Sequence, residues 1–373
     1  MSKPSSRSSS DPQNNALLVV AMLAMVAVPA GIALHTVQIP APAQIPPADA
    51  TPYGYTVSLL LFIVPIIVIG WWFVPQEGIK IPKRAFSRTI SVLFIAGCAL
   101  DYFFANRFFT YRNPAATLRI PAPALGGPVP IEEYVFYLTG FIAVLLIYVW
   151  LDEYWLLAYN VPDYPAEAKK LRRLLQFHPT SLVLGLALIG LAIAYKKFVS
   201  HSPGFPGYFT LLVAGGIVPA VSFFPSARPV INWRALSLTL FIILLVSLFW
   251  EATLAVPYGW WGYQQQQMMG LFIGAWAGLP IEAVCVWIAV TYATVIVFEV
   301  IKLWQASERP LKDAFLGARE VPSRKTQAAG NCHTPHQPRS SDYTVLSNEV
   351  GYRWHRRAHR PWQNRASQGF DRY

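Results

Sequence analysis

Apolar residues fall in blocks along most of this chain, separated by short polar or proline-rich stretches. Each block is close to the roughly 20 residues that carry a helix across the hydrocarbon layer at about 1.5 Å per residue. The blocks at 16–37, 54–74, 88–109, 130–151, 179–195, 207–224, 235–254 and 279–302 predict eight spanning helices. The first follows Lys3 and Arg7 and ends rich in Ala and Gly, which also suits a signal peptide; an uncleaved helix is the reading adopted. Residues 1–15, rich in Ser, Pro and Asn, have too little apolar surface to order themselves and predict a disordered lead. The Pro/Ala stretch up to residue 52 predicts an extended linker, because closely spaced prolines exclude helix.

Composition agrees with the pattern: 54% of the 373 residues are hydrophobic and 13% charged, which excludes a water-soluble chain and indicates an all-α integral membrane protein. Cys98, Cys285 and Cys332 are too few for a disulfide framework, and two of them sit in apolar runs as small hydrophobes. The net charge of +11 lies largely in the polar tail at 303–373. A basic disordered tail beside anionic lipid accounts for it without nucleic acid. Lys80, Lys83 and Arg84, then Lys169, Lys170, Arg172 and Arg173, then Arg228 and Arg234, and finally the tail fall on one side. That side is expected to be cytoplasmic, with both termini on it, in a multi-pass cell-membrane protein. Arg107, Arg112, Arg119, Lys196 and Lys197 fall on the other.

The chain also repeats itself. At an offset of 150 positions Pro130-Ile131-Glu132 matches Pro280-Ile281-Glu282, Asp101 falls on Glu251, Pro75 on Pro225 and Gly54 on Gly204. Arg84-Ala85 and Ser87 match Arg234-Ala235 and Ser237 in the same ungapped register. Such self-similarity indicates a duplication, with copies at 53–152 and 202–302. Two three-helix copies joined directly would be inverted; the additional crossing at 179–195, in the linker 153–201, restores the orientation. Parallel repeats about a pseudo-twofold axis along the membrane normal follow.

Carboxylates inside a membrane protein cost several kcal/mol and are suspects for function. Asp101 ends one helix, Glu132 and Glu133 open the next, and in the second copy Glu251 and Glu282 take matching places. All are expected at one level near the non-cytoplasmic face. Tyr134, Tyr137, Trp250 and Trp287 stand within a few turns as candidate walls. An apolar setting favours a protonated carboxyl that can serve as an acid, and aromatic faces stabilise a cation. A plainer alternative stays open: proline at the first helical position followed by acids also suits helix capping.

At these residues the sequence resembles the heterodimer-type lycopene cyclase domain of bacteria, archaea and the N-terminal part of fungal bifunctional enzymes. The resemblance covers about residues 53–302. Pro130-Ile-Glu132-Glu133 looks like the first motif, with Asp101 as its partner acid. Trp250-Glu251 and Leu279-Pro280-Ile-Glu282 look like their second counterparts. Two departures stand out: Ala283 occupies the place of a second glutamate, and Leu100 rather than an aromatic precedes Asp101. The resemblance implies a redox-neutral cyclisation of the linear ψ end of lycopene or a related carotenoid to a β-type ring. Glu132 and Glu133 would be acid and proton partner, Glu282 their counterpart, and Asp101 and Glu251 tuning groups or bases. The partners implied are the carotenoid, the bilayer, and a second copy or other carotenoid-pathway enzymes.

The alternatives are a carotenoid hydratase, a membrane polyprenyl transferase, a proton-coupled transporter and a non-catalytic membrane protein. The transferase needs paired Asp-rich motifs that are missing here. No nucleotide motif or metal-ligand cluster occurs, so no cofactor is expected. Cys332-His333 with His336 lacks a fourth ligand, and the four glutamines Gln264–Gln267 have no evident role.

Overall fold

The structure, a computed structural model, describes residues 51–316 apart from 80, 162–163, 172–173 and 176–178. The predicted helix at 16–37 with its lead and linker, and the tail beyond 316, lie outside the described residues. Among the described residues six helices are long and apolar enough to cross a membrane. They are α1 (Gly54–Gln76), α2 (Lys83–Phe108), α3 (Ile131–Trp155), α5 (Leu182–Ser200), α7 (Trp233–Ala255) and α8 (Ile281–Ser307). Between and after them come α4 (Tyr164–Lys170), α6 and α9 (Leu311–Leu316). The predicted run at 207–224 is α6, helical as Gly207–Leu211, a π-helical stretch Leu212–Ile217, and Val218–Ala227. It is not one of the six.

Helix ends follow local chemistry rather than the edges of the apolar runs. The α2 helix starts at Lys83, five residues before its apolar run, because charged residues with good helix propensity carry it past the hydrocarbon. Asn232 caps α7, its side-chain oxygen accepting from the Ala235 amide at 3.2 Å. Inside the bundle, hydroxyls that would otherwise be orphaned turn back on their own helices. Thr89 donates to the Ala85 carbonyl, Thr239 to the Ala235 carbonyl and Thr294 to the Val290 carbonyl.

The two helices that open with Pro-Ile-Glu form the centre. Windows of α3 and α8 are each 56% buried, against 17–28% for α1, α2 and α5. Helix α8 packs on α2, α3, α4, α6 and α7, and α3 packs on α1 and α2. Each is introduced by a small antiparallel ladder: β2 (Pro121–Ala122) with β3 (Val129–Pro130), and β5 (Phe272–Ile273) with β6 (Leu279–Pro280). A third ladder, β1 (Phe109–Thr110) with β4 (Gly262–Tyr263), joins the loop after α2 to the loop after α7 in the register Phe109↔Tyr263. Where this loop layer meets the segment before α6, Gly204 adopts φ +88, and a Cβ there would stand 2.4 Å from the Gln266 carbonyl oxygen. Only glycine fits both demands.

The opposite end of the bundle is tied by charge. Glu299 of α8, fully buried, accepts from the Tyr148 hydroxyl of α3 at 3.0 Å and from Lys302 at 3.3 Å. The Tyr164 hydroxyl of α4 donates to the same carboxylate and accepts from Lys302. A buried carboxylate requires such partners. Arg234 lies over the Tyr159 ring at 3.5 Å.

Candidate functional site

Adjacent residues on a helix point about 100° apart, and Glu132 and Glu133 consequently do different things. Glu132 turns back to the loop before α3: its Oε1 accepts from the Leu118 amide at 2.6 Å and from the Thr56 hydroxyl at 2.5 Å. Glu282 repeats this on α8, accepting from the Met269 amide at 2.5 Å. The helix starts are likewise tied, Ile131 N to Ile120 O at 3.0 Å and Ile281 N to Leu271 O at 2.9 Å. Leu118 and Met269 differ by 151 positions while the two glutamates differ by 150, so the ungapped register read from the sequence slips by one residue inside the loop. These two glutamates, each with its other oxygen buried and unpartnered, hold the loop layer down. Charge-assisted bonds of this kind contribute about 1.5–3 kcal/mol each.

Glu133 faces the other way, into a cavity of about 60 Å³ between α1, α3, α7 and α8 beneath the loop layer. Glu251 of α7 faces the same cavity. Its two oxygens are both held, Oε2 by the Tyr263 hydroxyl at 2.6 Å and Oε1 by the Trp287 indole N–H at 2.7 Å. Glu133 Oε1 accepts from the Tyr55 hydroxyl at 2.7 Å. The rest of the lining is apolar and aromatic, with Phe136, Tyr137 and Gly140 from α3 and Trp261, Val286 and Val290 from the later part of the chain. The α8 position matching Glu133 is Ala283, fully buried, which leaves that wall without a carboxylate.

No family model, curated protein or solved structure matches the chain.

Asp101 is fully buried on α2 behind Glu133, with Tyr137 beside it. The Tyr137 hydroxyl is the donor that approaches its carboxyl. Among the described residues no Lys or Arg pairs with Asp101, Glu133 or Glu251. Close carboxylates in such a setting share protons as a set instead of titrating one by one. The neighbouring hydroxyls are held neutral as donors. Burial, and after it the Glu133 and Asp101 carboxylates, push the Tyr111 hydroxyl well above its ordinary value, and burial with Glu251 does the same to Tyr263.

Of the residues picked from sequence, Glu133, Glu251, Tyr137 and Trp287 meet at the cavity, while Glu132 and Glu282, in the first turns of α3 and α8, turn away from it to bond the loop layer. Trp250 does not line the cavity. It lies fully buried against it, with ring centroids 5.4 Å from Phe136 and 4.6 Å from Trp261. Tyr134 points to the periphery, its hydroxyl donating to the Pro123 carbonyl at 2.6 Å. Sequence reasoning missed Tyr55, Tyr208, Phe109 and Gly140, all of which line the cavity. A signal for Tyr55 existed: it follows Gly54, which falls in the repeat register. A Cβ on Gly54 would stand 2.7 Å from the Trp260 ring.

Proposed function

We propose that this chain is a carotenoid cyclase that closes the ψ end of a linear carotenoid such as lycopene without net redox change. One observation carries the proposal: two carboxyl groups, Glu133 and Glu251, reach one aromatic cavity from different helices. Glu133, on the cavity lining with Oε1 held by Tyr55, is the acid. Its proton adds to the terminal trisubstituted double bond and leaves a tertiary cation. The internal double bond attacks that cation, forming the ring bond and a second tertiary cation within the new ring. Glu251, fixed by Tyr263 and Trp287, removes the adjacent proton, and the electron pair left behind becomes the ring double bond. One proton enters and one leaves, so the product is an isomer of the substrate.

Phe136, Tyr137, Trp261 and Trp287 offer ring faces to the cation, worth about 2 kcal/mol or more each when water is excluded. Asp101, behind Glu133 with Tyr137 beside it, is the site's proton reserve, and Glu132 and Glu282 are positioning residues that hold the roof.

The same proposal takes 53–152 and 202–302 as parallel repeats within an eight-helix chain in the cell membrane, both termini cytoplasmic. The matched Glu132–Leu118 and Glu282–Met269 bonds support the repeats. The test is pigment analysis of a host that accumulates lycopene and expresses the chain, beside Glu133→Gln. Monocyclic or bicyclic carotene with the former and lycopene with the latter is the expected result. Unchanged lycopene with the protein present in the membrane would overturn cyclisation of lycopene, and a hydroxylated linear product would replace it with hydration.

A further inference from the structure

Among the described residues a larger opening than the carboxylate cavity lies elsewhere. It lies between α2, α6, α8 and α9 and has a volume of about 440 Å³. Arg88, on its wall, is thirteen residues from Asp101 along α2, roughly 20 Å at 1.5 Å per residue, so the groove belongs to the opposite end of the bundle. Its walls are apolar, with Val92 from α2, Val297, Ile301 and Trp304 from α8, and Leu311 and Phe315 from α9. Polar groups are confined to one strip of α2: Ser87, Arg88 and Ser91. Arg88 is exposed, its guanidinium 4.8 Å from the centre of the Trp304 ring, and among the described residues no carboxylate pairs with it.

Trp304 is fixed in turn by its indole N–H, which donates to the Arg309 carbonyl at 3.1 Å. The cation is thus held against a rigid ring at the edge of an apolar slot. The chain flanking these walls is basic in sequence, with Lys83, Arg84 and Arg88 in the first turns of α2 and Arg309 and Lys312 beside Leu311, against Glu308 and Asp313.

A slot that is apolar along its length and offers an unpaired guanidinium with two hydroxyls at one edge suits an amphiphile with a hydrocarbon chain and an anionic head. A zwitterionic headgroup would bring a second cation to the same edge. We infer that this groove seats an acyl chain of an anionic phospholipid, its phosphate at Arg88 with the Ser87 and Ser91 hydroxyls. By the distribution of basic residues this end faces the leaflet where such lipids attract polybasic surfaces. The lipid is independent of the carboxylate cavity and would fasten α2 to α8 and α9 from the bilayer side.

The test uses the full chain, purified in mild detergent, given equal amounts of phosphatidylglycerol and phosphatidylcholine, with bound lipid counted by native mass spectrometry. Phosphatidylglycerol should be retained in preference. Arg88→Gln should lower its occupancy about fivefold relative to phosphatidylcholine, the effect of one cation at a lipid surface, and Arg88→Lys should restore part of the preference. Ser91→Trp keeps the charge and fills the slot, so it should remove the bound phosphatidylglycerol while the elution profile and thermal transition show a folded protein. No preference in the parent, or a preference untouched by Arg88→Gln, would overturn the inference. So would a loss on Arg88→Gln with none on Ser91→Trp, since the lipid would then lie on the charged surface outside the groove.

Discussion

Gly140 gives the sharpest test of the cavity. It is buried in the middle of α3, on the cavity wall, and a Cβ built on it meets nothing within 4 Å. Its backbone is helical, so neither a special φ nor a close neighbour demands glycine. Contrast Gly97 on α2, where a Cβ would stand 2.9 Å from the Tyr137 ring. Glycine in a helix interior costs about 0.5–1 kcal/mol relative to alanine, and at residue 140 no packing contact accounts for it. Gly140→Ala should therefore stabilise the protein by about 0.5–1 kcal/mol, which for a chain of this size raises the thermal midpoint by roughly 1–3 °C.

A larger side chain separates stability from function. The α8 position in register with Gly140 is Val290, which lines the same cavity, so a branched side chain is compatible with this level of the bundle. Gly140→Val should leave the fold intact and take space from a cavity of about 60 Å³. If the cavity receives the ring-forming end, cyclised product should fall by up to about a hundredfold, the effect of misplacing a reacting group by around 1 Å. The assay pairs thermal unfolding in detergent with the ratio of cyclic to linear pigment in cells. A stable Gly140→Val protein with undiminished cyclisation would refute the reasoning, because the chemistry would then lie elsewhere.

The two neighbouring glutamates should behave differently. Glu133→Gln should abolish cyclisation, by about a hundredfold or more, with little change in thermal midpoint. Glu132→Gln should instead cost about 1–3 kcal/mol of stability, read by thermal unfolding, through weaker bonds to the Leu118 amide and Thr56. At the other end of the bundle, Lys302→Met leaves the buried Glu299 without its cation and should cost about 3 kcal/mol, lowering the thermal midpoint without altering which end group is made. Tyr111 and Tyr263 ionise later in the folded protein than in the unfolded chain, so the unfolded state releases protons first as pH rises. Stability should fall above the ordinary tyrosine value of about 10, and absorbance titration should show phenolate from these two only on unfolding.

Much of this was legible in the sequence because its cause is one-dimensional. Apolar runs of bilayer length mark the helices, and Pro130 and Pro280 mark the starts of the two most buried ones. The pairing of Asp101 and Glu251 with the motif helices followed from hairpin connectivity. What the sequence left open was direction. Glu132 and Glu133 are equally acidic neighbours, and only the loop's path decides which of them finds the Leu118 amide and which is left to the cavity. Glu251 and Asp101 correspond in register, yet Glu251 meets two donors at the cavity and Asp101 lies behind Glu133, off the cavity lining, beside Tyr137. Gly140 could not be singled out because a helix glycine that allows close packing and one that leaves a space are identical in sequence. The Arg88 groove was hidden because its walls come from four separate helices.

The ladder between Phe109–Thr110 and Gly262–Tyr263 has a consequence in time. Its two strands are about 150 residues apart, as are the Asn113 side chain and the Tyr258 carbonyl it donates to. At about 5–20 residues per second, the first strand waits on the order of ten to thirty seconds on the ribosome for its partner. Until then Glu133 has neither Glu251 opposite it nor Trp261 and Tyr263 at its side. On the proposed chemistry a half-made chain lacks Glu251, the group assigned to accept the proton, so reactivity would begin only once α7 has been made and the ladder has closed.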